Sequence, residues 1–302
     1  MQSIRARLAT LHHFATSART NRSTHNMADP KSLAAMPPMM YGTAWKKERT
    51  ADLVYEAIKA GFRGIDTAAM KKHYDEALAA EGIRRAIREG IVSRKDLFVR
   101  PSRTHPLTHH HPLTPNKIQT KFSPLDTTSP HDPSTPIPTQ ITTSVLSSLS
   151  HFTFQDQNEQ EQEPYIDALL LHSPFPHPQQ TLLAWSTLQS YLPSSSNPSR
   201  AGKIRSLGIS NVFSLELLDA LYSSYSASVT SLSPSPSMVI QNRFCASEKA
   251  WDRRVRGWCA AKEKEGEGVG VVYQGFWTLT GNRAVCKLYP TRLPCVLVMP
   301  RM

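Results

Sequence analysis

Four side chains suited to moving a proton follow or lie in short apolar runs of this 302-residue sequence. Asp66 closes Gly-Ile-Asp, Lys121 lies in Ile-Gln-Thr-Lys-Phe, His172 closes Ala-Leu-Leu-Leu-His, and Tyr74 follows Asp66 by eight residues. A phenol has a pKa near 10, which a neighbouring ammonium lowers, and a carboxylate keeps that ammonium charged. An imidazole can hydrogen-bond a carbonyl oxygen. Together these groups predict a relay that polarises a carbonyl and protonates it, with the hydride coming from an organic cofactor.

Further polar residues close the apolar runs nearer the C-terminus. Ser210 and Asn211 end one run, Gln241 lies at the end of the next, and Tyr273 and Gln274 end the last. The hydroxyl and amide groups suit a carboxamide, and Tyr273 suits stacking on a flat ring. We therefore expect a cofactor to bind beside the proton relay.

The elements that must position these residues alternate between strand and helix. Each predicted strand but the last is followed by a helical pattern, and the strands are predicted at Phe62–Thr67, Ile118–Phe122, Tyr165–His172, Ile204–Ser210, Met238–Asn242 and Val269–Gln274. This order indicates parallel strands joined by helical crossovers. Because the sequence lacks the Gly-x-Gly-x-x-Gly turn of dinucleotide-binding open sheets, we predict an α/β fold of the (β/α)8 TIM-barrel type. In that fold the site lies at the C-terminal ends of the strands.

Six motifs, taken in order, resemble the aldo-keto reductase superfamily over about residues 39 to 283. They are Gly42-Thr-Ala-Trp-Lys46, Gly61-Phe-Arg-Gly-Ile-Asp-Thr-Ala68, Gln119-Thr-Lys-Phe-Ser123, Asp167-Ala-Leu-Leu-Leu-His-Ser-Pro174, Gly208-Ile-Ser-Asn-Val212 and Val239-Ile-Gln-Asn242. The segment from Tyr273 to Gly281 resembles fungal members. The resemblance implies NADPH-dependent reduction of a small-molecule aldehyde or ketone to an alcohol, with hydride from NADPH and a proton from tyrosine.

The resemblance also implies roles for individual residues. The catalytic tetrad corresponds to Asp66, Tyr74, Lys121 and His172. The cofactor-binding residues correspond to Thr43, Trp45, Asp66, Ser210, Asn211, Gln241, Tyr273 and Gln274. Trp45 and Phe276 are expected to line the substrate pocket. One departure is the longer spacing from Asp66 to Tyr74, where Lys71-Lys72-His73 intervene.

The sequence predicts three regions. Residues 1–35 are a disordered leader or a transit peptide, because residues 1–26 carry arginines and Ser/Thr but no acid. Residues 36–283 form the barrel domain, with a low-complexity insertion at 100–116 that separates a strand fragment at 96–99 from Lys121's strand. Residues 284–302 form an irregular tail with one short strand at Cys295–Met299. The resemblance implies two further βα units, so we expect about six of eight units, with open strand edges. A cytoplasmic location is expected, or a mitochondrial one if the leader is a transit peptide.

Composition excludes several other classes of protein. Lys+Arg exceed Asp+Glu by 35 to 24, but residues 1–26 and 100–123 together supply eight of the eleven excess charges. These segments lack the aromatics of a nucleic-acid surface, so no nucleic-acid partner is expected. No apolar stretch reaches the roughly 20 residues of a membrane span. The four cysteines lie far apart, and the run from His109 to His111 lies in a low-complexity loop, so neither a disulfide framework nor a metal site is expected.

A second function class remains open from the residues alone. The resemblance ends before the last two βα units, which favours a non-catalytic relic or an interaction protein with weak or no cofactor binding. The intact tetrad favours the enzyme. The carbonyl substrate and the oligomeric state are undefined by the sequence.

Overall fold

The structure, a computed structural model, describes residues 36–94, 117–124, 132, 134–155, 163–229, 231–232, 236–245, 247–248, 250–264, 269–278, 281–282 and 295–298. The leader at 1–35, the strand fragment at 96–99, the insertion at 100–116 and most of the tail at 284–302 lie outside these residues. The predictions made for those segments therefore stay predictions.

The described strands form one closed barrel in chain order. They are β1 (Met39–Gly42), β2 (Gly64–Asp66), β3 (Lys117–Phe122), β4 (Ala168–Leu171), β5 (Leu207–Ser210), β6 (Met238–Arg243), β7 (Val271–Phe276) and β8 (Cys295–Val298). Strands β1 to β7 are parallel, whereas β8 pairs antiparallel with both β7 and β1. The predicted incomplete (β/α)8 barrel is confirmed, with seven parallel strands.

Two details differ from the expectation. The sequence analysis missed β1, because its four residues follow a Met/Pro-rich stretch that carries no clear strand pattern. It also expected open edges, but β8 fills the gap, pairing Met39 with Leu297 and Gln274 with Val298. A single short strand is enough here because it satisfies the edge groups of both neighbours.

A helix follows each of the first six strands, as the predicted alternation requires. The helices are α1 (Thr50–Lys59), α2 (Glu76–Arg88), α3 (Ile137–His151), α4 (Pro178–Gln189), α5 (Leu215–Val229) and α6 (Arg253–Lys264). Helix α2 starts after Asp75, whose carboxylate accepts the backbone N–H of Leu78 at 2.9 Å. Such an N-cap satisfies a donor that the first helical turn leaves without a partner. It also fixes where the loop carrying Tyr74 ends.

Strand residues alternate between the helix layer and the barrel interior. The helix-facing residues join the main apolar core, among them Ile65, Ile118, Leu169, Ile209 and Ile240. Inside the barrel, Met40 lies in one small cluster, and Ala168, Leu170 and Val239 in another. Nearer the carboxyl ends of the strands the interior side chains become polar, and that polar layer holds the candidate site.

Within the described residues, no helix combines the length and apolar character needed to cross a bilayer. The same residues contain no group of three or more His, Cys, Asp or Glu side chains placed to hold a metal ion.

Candidate active site

A buried ion pair joins the ends of β2 and β3. The ammonium Nζ of Lys121 lies 2.5 Å from Oδ1 of Asp66, and the two residues are only 2% and 3% exposed. Lys121 also donates to the carbonyl oxygen of Thr67 at 3.0 Å. Two charges this deeply buried are tolerated because they neutralise each other, while the ammonium donates a further hydrogen bond and the carboxylate accepts one. The strand ends therefore bring together the acid and the ammonium that the sequence predicts.

The Tyr74 phenol lies over this pair. Its ring centre is 5.7 Å from Nζ of Lys121, and 6.0 Å from the ring centre of His172 in an edge-to-face arrangement. In the part of the chain that the structure describes, nothing hydrogen-bonds to the Tyr74 hydroxyl. The four predicted tetrad residues are thus neighbours at one rim of the barrel.

The pKa of the Tyr74 phenol is raised above its ordinary value. Burial is the larger cause, and the negative charge of Asp66 adds to it. The sequence analysis expected Lys121 to lower this pKa. The direction is reversed because burial and the negative charge of Asp66 both disfavour the phenolate. The phenol therefore keeps its proton throughout the neutral range.

His172 follows β4 and is oriented by two polar contacts. Its Nδ1 lies 2.9 Å from Oγ of Ser123, and its backbone carbonyl accepts the side-chain amide of Asn211 at 2.8 Å. When the Ser123 hydroxyl donates to Nδ1, the imidazole proton is on Nε2. This tautomer presents a hydrogen-bond donor to a carbonyl oxygen.

Ser210, Asn211 and Gln241 lie together at the ends of β5 and β6. The Ser210 hydroxyl is 3.4 Å from Oε1 of Gln241, and the Asn211 amide is 3.3 Å from Oγ of Ser210. Both separations are at the long end for hydrogen bonds, so a better-placed ligand group can replace them. The three side chains offer donors and acceptors at one place, which fits the chemistry of a bound carboxamide.

Two assignments do not fit the structure. Tyr273 lies in the helix layer, where its ring packs against Trp251 and its hydroxyl donates to Asp252 at 2.5 Å. It does not reach the rim to stack on a ligand. Gln274 faces inward instead, since neighbouring strand residues point to opposite sides. Its amide is fully buried, and both its oxygen and its nitrogen are already engaged by short contacts to Gln119 and Gln241, at 2.8 to 3.0 Å.

The loop after β1 approaches Tyr74 through His73. The Trp45 indole lies 3.9 Å from the His73 ring, centre to centre, and the Trp45 backbone N–H donates to the His73 carbonyl at 2.7 Å. Trp45 is 56% exposed and adopts a φ of 62°, which a tryptophan rarely adopts. Thr43 is buried and donates to the Asp66 carbonyl. Trp45 is therefore placed to meet a ligand, while Thr43 supports the end of β2.

Phe276 shares the inward face of β7 with Gln274, and it packs with the Met40 cluster inside the barrel. The partly exposed ring is compatible with the predicted place in the pocket lining.

Sequence reasoning missed two residues that contact the tetrad. Gln119 donates to Asp66 at 2.7 Å, and Ser123 holds the His172 imidazole. Both follow from strand parity, because residues 119, 121 and 123 share the face that presents Lys121. The alternation of residues 119, 121 and 123 is visible in the sequence, but an amide in the middle of a strand does not by itself indicate catalysis.

Known proteins that are similar to this chain point to the family that its sequence motifs resemble. Residues 38–283 match the sequence profile described as Aldo/keto reductase family. An NAD(P)H-dependent pentose reductase from Pyricularia oryzae is 31% identical over 201 residues, which is 63% of this chain and 53% of that protein. An NAD(P)H-dependent D-xylose reductase from Pachysolen tannophilus is 51% identical over 55 residues, covering 18% of this chain and 17% of that protein. The matched region thus spans about half the length of the pentose reductase.

Two solved structures are similar to this one. An aldo/keto reductase from Brucella melitensis has a TM-score of 0.44 at 18% identity, covering 78% of this chain and 67% of that one. An aldose reductase from Giardia lamblia has a TM-score of 0.43 at 14% identity, with coverages of 80% and 66%.

Proposed function

The chain belongs to the aldo/keto reductase family, and from this premise we propose that it reduces an aldehyde or ketone to an alcohol, with Tyr74 as the proton donor. One observation carries the proposal. The buried pair of Asp66 and Lys121 lies beside the Tyr74 ring, and the His172 ring is 6.0 Å away. This arrangement supplies a proton and a hydrogen-bond donor to a single carbonyl oxygen.

The proposed cofactor is NADPH, which when bound supplies the hydride. The naming of the relatives as NAD(P)H-dependent supports a nicotinamide, and the choice of NADPH rests on the family resemblance. Ser210, Asn211 and Gln241 would hold the carboxamide, as their mixed donors and acceptors suit it. Tyr273 is turned away, so the flat ring finds no stacking partner in that residue.

The proton moves from the Tyr74 hydroxyl to the substrate oxygen. The raised pKa of the phenol keeps it neutral before reaction. As the carbonyl carbon is reduced, its oxygen gains negative charge and becomes a stronger base than a phenolate, so the transfer is downhill. The Lys121 ammonium, 5.7 Å from the ring centre, stabilises the phenolate that is left. The phenolate is then reprotonated from solvent, which returns the site to its starting state.

His172 aligns the carbonyl for this transfer. With Ser123 holding Nδ1, the hydrogen on Nε2 can bond to the same oxygen that receives the proton. A donor fixed toward a developing negative charge lowers the barrier because it needs no reorganisation during the reaction.

An aldose is the first substrate class to test. Relatives carry the names D-xylose reductase and pentose reductase, and an open-chain pentose presents an aldehyde to the rim. The test is the oxidation of NADPH, and separately of NADH, by the purified chain with D-xylose.

Tyr74→Phe tests the proton donor in this assay. It is expected to lower kcat by about 10²- to 10⁴-fold, the usual contribution of a general acid, while cofactor binding persists. Tyr165→Phe is the matched control, because Tyr165 donates only to the backbone carbonyl of Arg94 at the other end of the barrel. Equal activity of wild type and Tyr74→Phe would contradict the assignment. A wild-type chain that neither binds NADPH nor oxidises it would leave the non-catalytic alternative.

A further inference from the structure

We propose that Gln119, held in place by Gln274, is a positioning residue that fixes the Asp66 carboxylate and, through it, the Lys121 ammonium. Gln119 is the direct cross-strand partner of Asp66 in the β2–β3 register. Its Nε2 donates to Oδ1 of Asp66 at 2.7 Å, the same oxygen that Lys121 contacts at 2.5 Å. The catalytic consequence rests on the proposed function, but the positioning itself does not.

The amide of Gln119 has no unused hydrogen-bonding group. Its two Nε2 hydrogens go to Asp66 and to Oε1 of Gln274, and its oxygen accepts from Nε2 of Gln274 at 3.0 Å. A rotation of this amide by 180° would aim its oxygen at the Asp66 carboxylate, so only one orientation is stable. Both glutamines are fully buried.

Gln274 is locked in turn. Its oxygen accepts from Gln119 at 2.8 Å and from Gln241 at 2.9 Å, while its Nε2 also reaches the Met40 sulfur at 3.6 Å. A buried network with every member satisfied is rigid, because moving one amide leaves its partners without hydrogen bonds in a medium that offers no water.

The network continues past Gln241 to the other side of the site. Gln241 accepts from Ser210, Asn211 donates to Ser210, and Asn211 also donates to the carbonyl of His172. A continuous series of hydrogen bonds inside the barrel therefore links Asp66 on β2 to His172 after β4. The links through Ser210 are long, at 3.4 and 3.3 Å, so the firmly held part of the series is the three interior glutamines, Gln119, Gln274 and Gln241, that end at Asp66.

The orientation of the Asp66 carboxylate matters because the position of the Lys121 ammonium depends on it. Lys121 contacts Asp66 and the Thr67 carbonyl, so a carboxylate free to rotate would let the ammonium shift relative to Tyr74. Catalytic groups lose much of their effect when misplaced by about 1 Å. Gln119→Leu removes the hydrogen bonds while keeping a side chain of similar size.

The kinetic test compares Gln119→Leu, Gln274→Met and Gln140→Leu. Gln119→Leu is expected to lower kcat roughly 10-fold or more with the Kd for NADPH unchanged, and Gln274→Met to lower kcat less. Gln140→Leu is the control, since Gln140 is equally buried but donates only to the Thr135 carbonyl outside the barrel. It should keep wild-type kcat. Wild-type kcat in Gln119→Leu would overturn the proposal.

Two measurements decide the positioning without activity. In a double-mutant cycle of unfolding free energies, Gln119→Leu and Asp66→Asn should be strongly non-additive, and additivity would overturn the proposal. If Asp66→Asn does not fold, side-chain amide exchange replaces the cycle. The Gln119 amide signals, identified by their loss in Gln119→Leu, should exchange slowly in wild type and faster in Gln274→Met. Fast exchange in wild type would overturn the proposal, and neither result depends on whether the chain is a reductase.

Discussion

Each end of the barrel buries a carboxylate in an ion pair, but the two carboxylates have different surroundings. At the carboxyl ends of the strands, Asp66 meets Lys121 and the amide of Gln119. At the amino ends, Asp167 meets Arg94 at 2.7 Å and the backbone N–H of Ile118 at 3.0 Å, and two further cations lie within 4 Å, Lys117 at 3.5 Å and Arg205 at 3.8 Å.

The difference lies in what is left to act on a ligand. Tyr165 covers two of the cations around Asp167. Its ring centre lies 3.7 Å from the guanidinium carbon of Arg94 and 3.5 Å from that of Arg205. Beside Asp66, by contrast, Tyr74 and His172 add an acid and a hydrogen-bond donor to the pair. A buried ion pair with a phenol nearby is therefore not enough to mark a candidate active site, because the Tyr165 hydroxyl already donates to the Arg94 carbonyl. Among the described residues the Tyr74 hydroxyl has no such partner, and it lies at the C-terminal face, where the sites of such barrels form.

The largest expected effect is on stability at the amino end. Asp167→Asn leaves Arg94 buried and uncompensated, which should lower the free energy of unfolding by about 3–5 kcal/mol. Urea unfolding followed by circular dichroism measures it. Asp52→Asn is the control, since the exposed pair of Asp52 and Arg85 should contribute less than about 1 kcal/mol. A loss of kcat in the folded Asp167→Asn protein would break the distinction between the two ends.

The next effect is on catalysis at the carboxyl end. His172→Phe keeps a ring beside Tyr74 but removes the hydrogen-bond donor, so kcat should fall by about 10²-fold with little change in unfolding free energy. Ser123→Ala, which keeps the imidazole but removes its contact at Nδ1, should lower kcat less. Steady-state kinetics and urea unfolding of both variants give the comparison. A His172→Phe protein that loses stability but not activity would assign His172 to the fold.

The two ends should also respond to opposite extremes of pH. Burial raises the pKa of Asp167, but Arg94, Lys117 and the backbone N–H of Ile118 together hold the pKa below the ordinary 3.8. Its contribution to stability is therefore complete above pH 3.8 and lost as the pH falls through the lower folded value. Asp167→Asn should make the free energy of unfolding less dependent on pH below 3.8.

The pKa of Tyr74 is raised above the ordinary value of 10.0. Ionisation of Tyr74 should therefore not reduce kcat at any pH below 10.0. A Tyr74-dependent fall in kcat between pH 7 and 9 would contradict this.

The smallest expected effect concerns the rim loop. His73→Ala removes the ring that contacts Trp45 and should raise the KM for the aldose by roughly 2- to 10-fold, the value of an aromatic contact, with kcat little changed. His73→Phe keeps a ring and should restore the KM. The fluorescence assigned to Trp45, by difference from Trp45→Phe, should change in His73→Ala and recover in His73→Phe. An unchanged spectrum in His73→Ala would show that the contact does not hold Trp45.

Much of the fold was predictable because strand and helix periods differ clearly. The alternation of apolar runs and helical patterns placed six strands near their observed bounds, such as Ile118–Phe122 for β3 (Lys117–Phe122), and predicted a helix after each of these strands but the last. The antiparallel direction of β8 was not predictable, because a short apolar run does not say which way it will cross a barrel.

The site was predictable where it depends on strand ends and not where it depends on strand faces. Asp66, Lys121 and His172 meet because parallel strands bring their carboxyl ends to one rim. Tyr273 and Gln274 are adjacent, so only one of them can face inward, and the register that pairs Gln241 with Gln274 selects the glutamine. The buried amides of Gln119 and Gln274 then depend on cross-barrel contacts between residues 155 positions apart, which no local pattern encodes.

The proposed role of the Asp66–Lys121 pair at the carboxyl end is to serve hydride reduction. It is tested most directly by following a label from cofactor to product. The purified chain is incubated with D-xylose and NADPH deuterated at the transferring carbon, and the alcohol is analysed by mass spectrometry. We expect an alcohol that carries the deuterium, formed at similar rates by wild type and by folded Asp167→Asn but about 10²-fold or more slowly by Tyr74→Phe. Labelled alcohol formed as fast by Tyr74→Phe as by wild type, or no labelled alcohol from wild type with bound NADPH and any aldose tried, would contradict it.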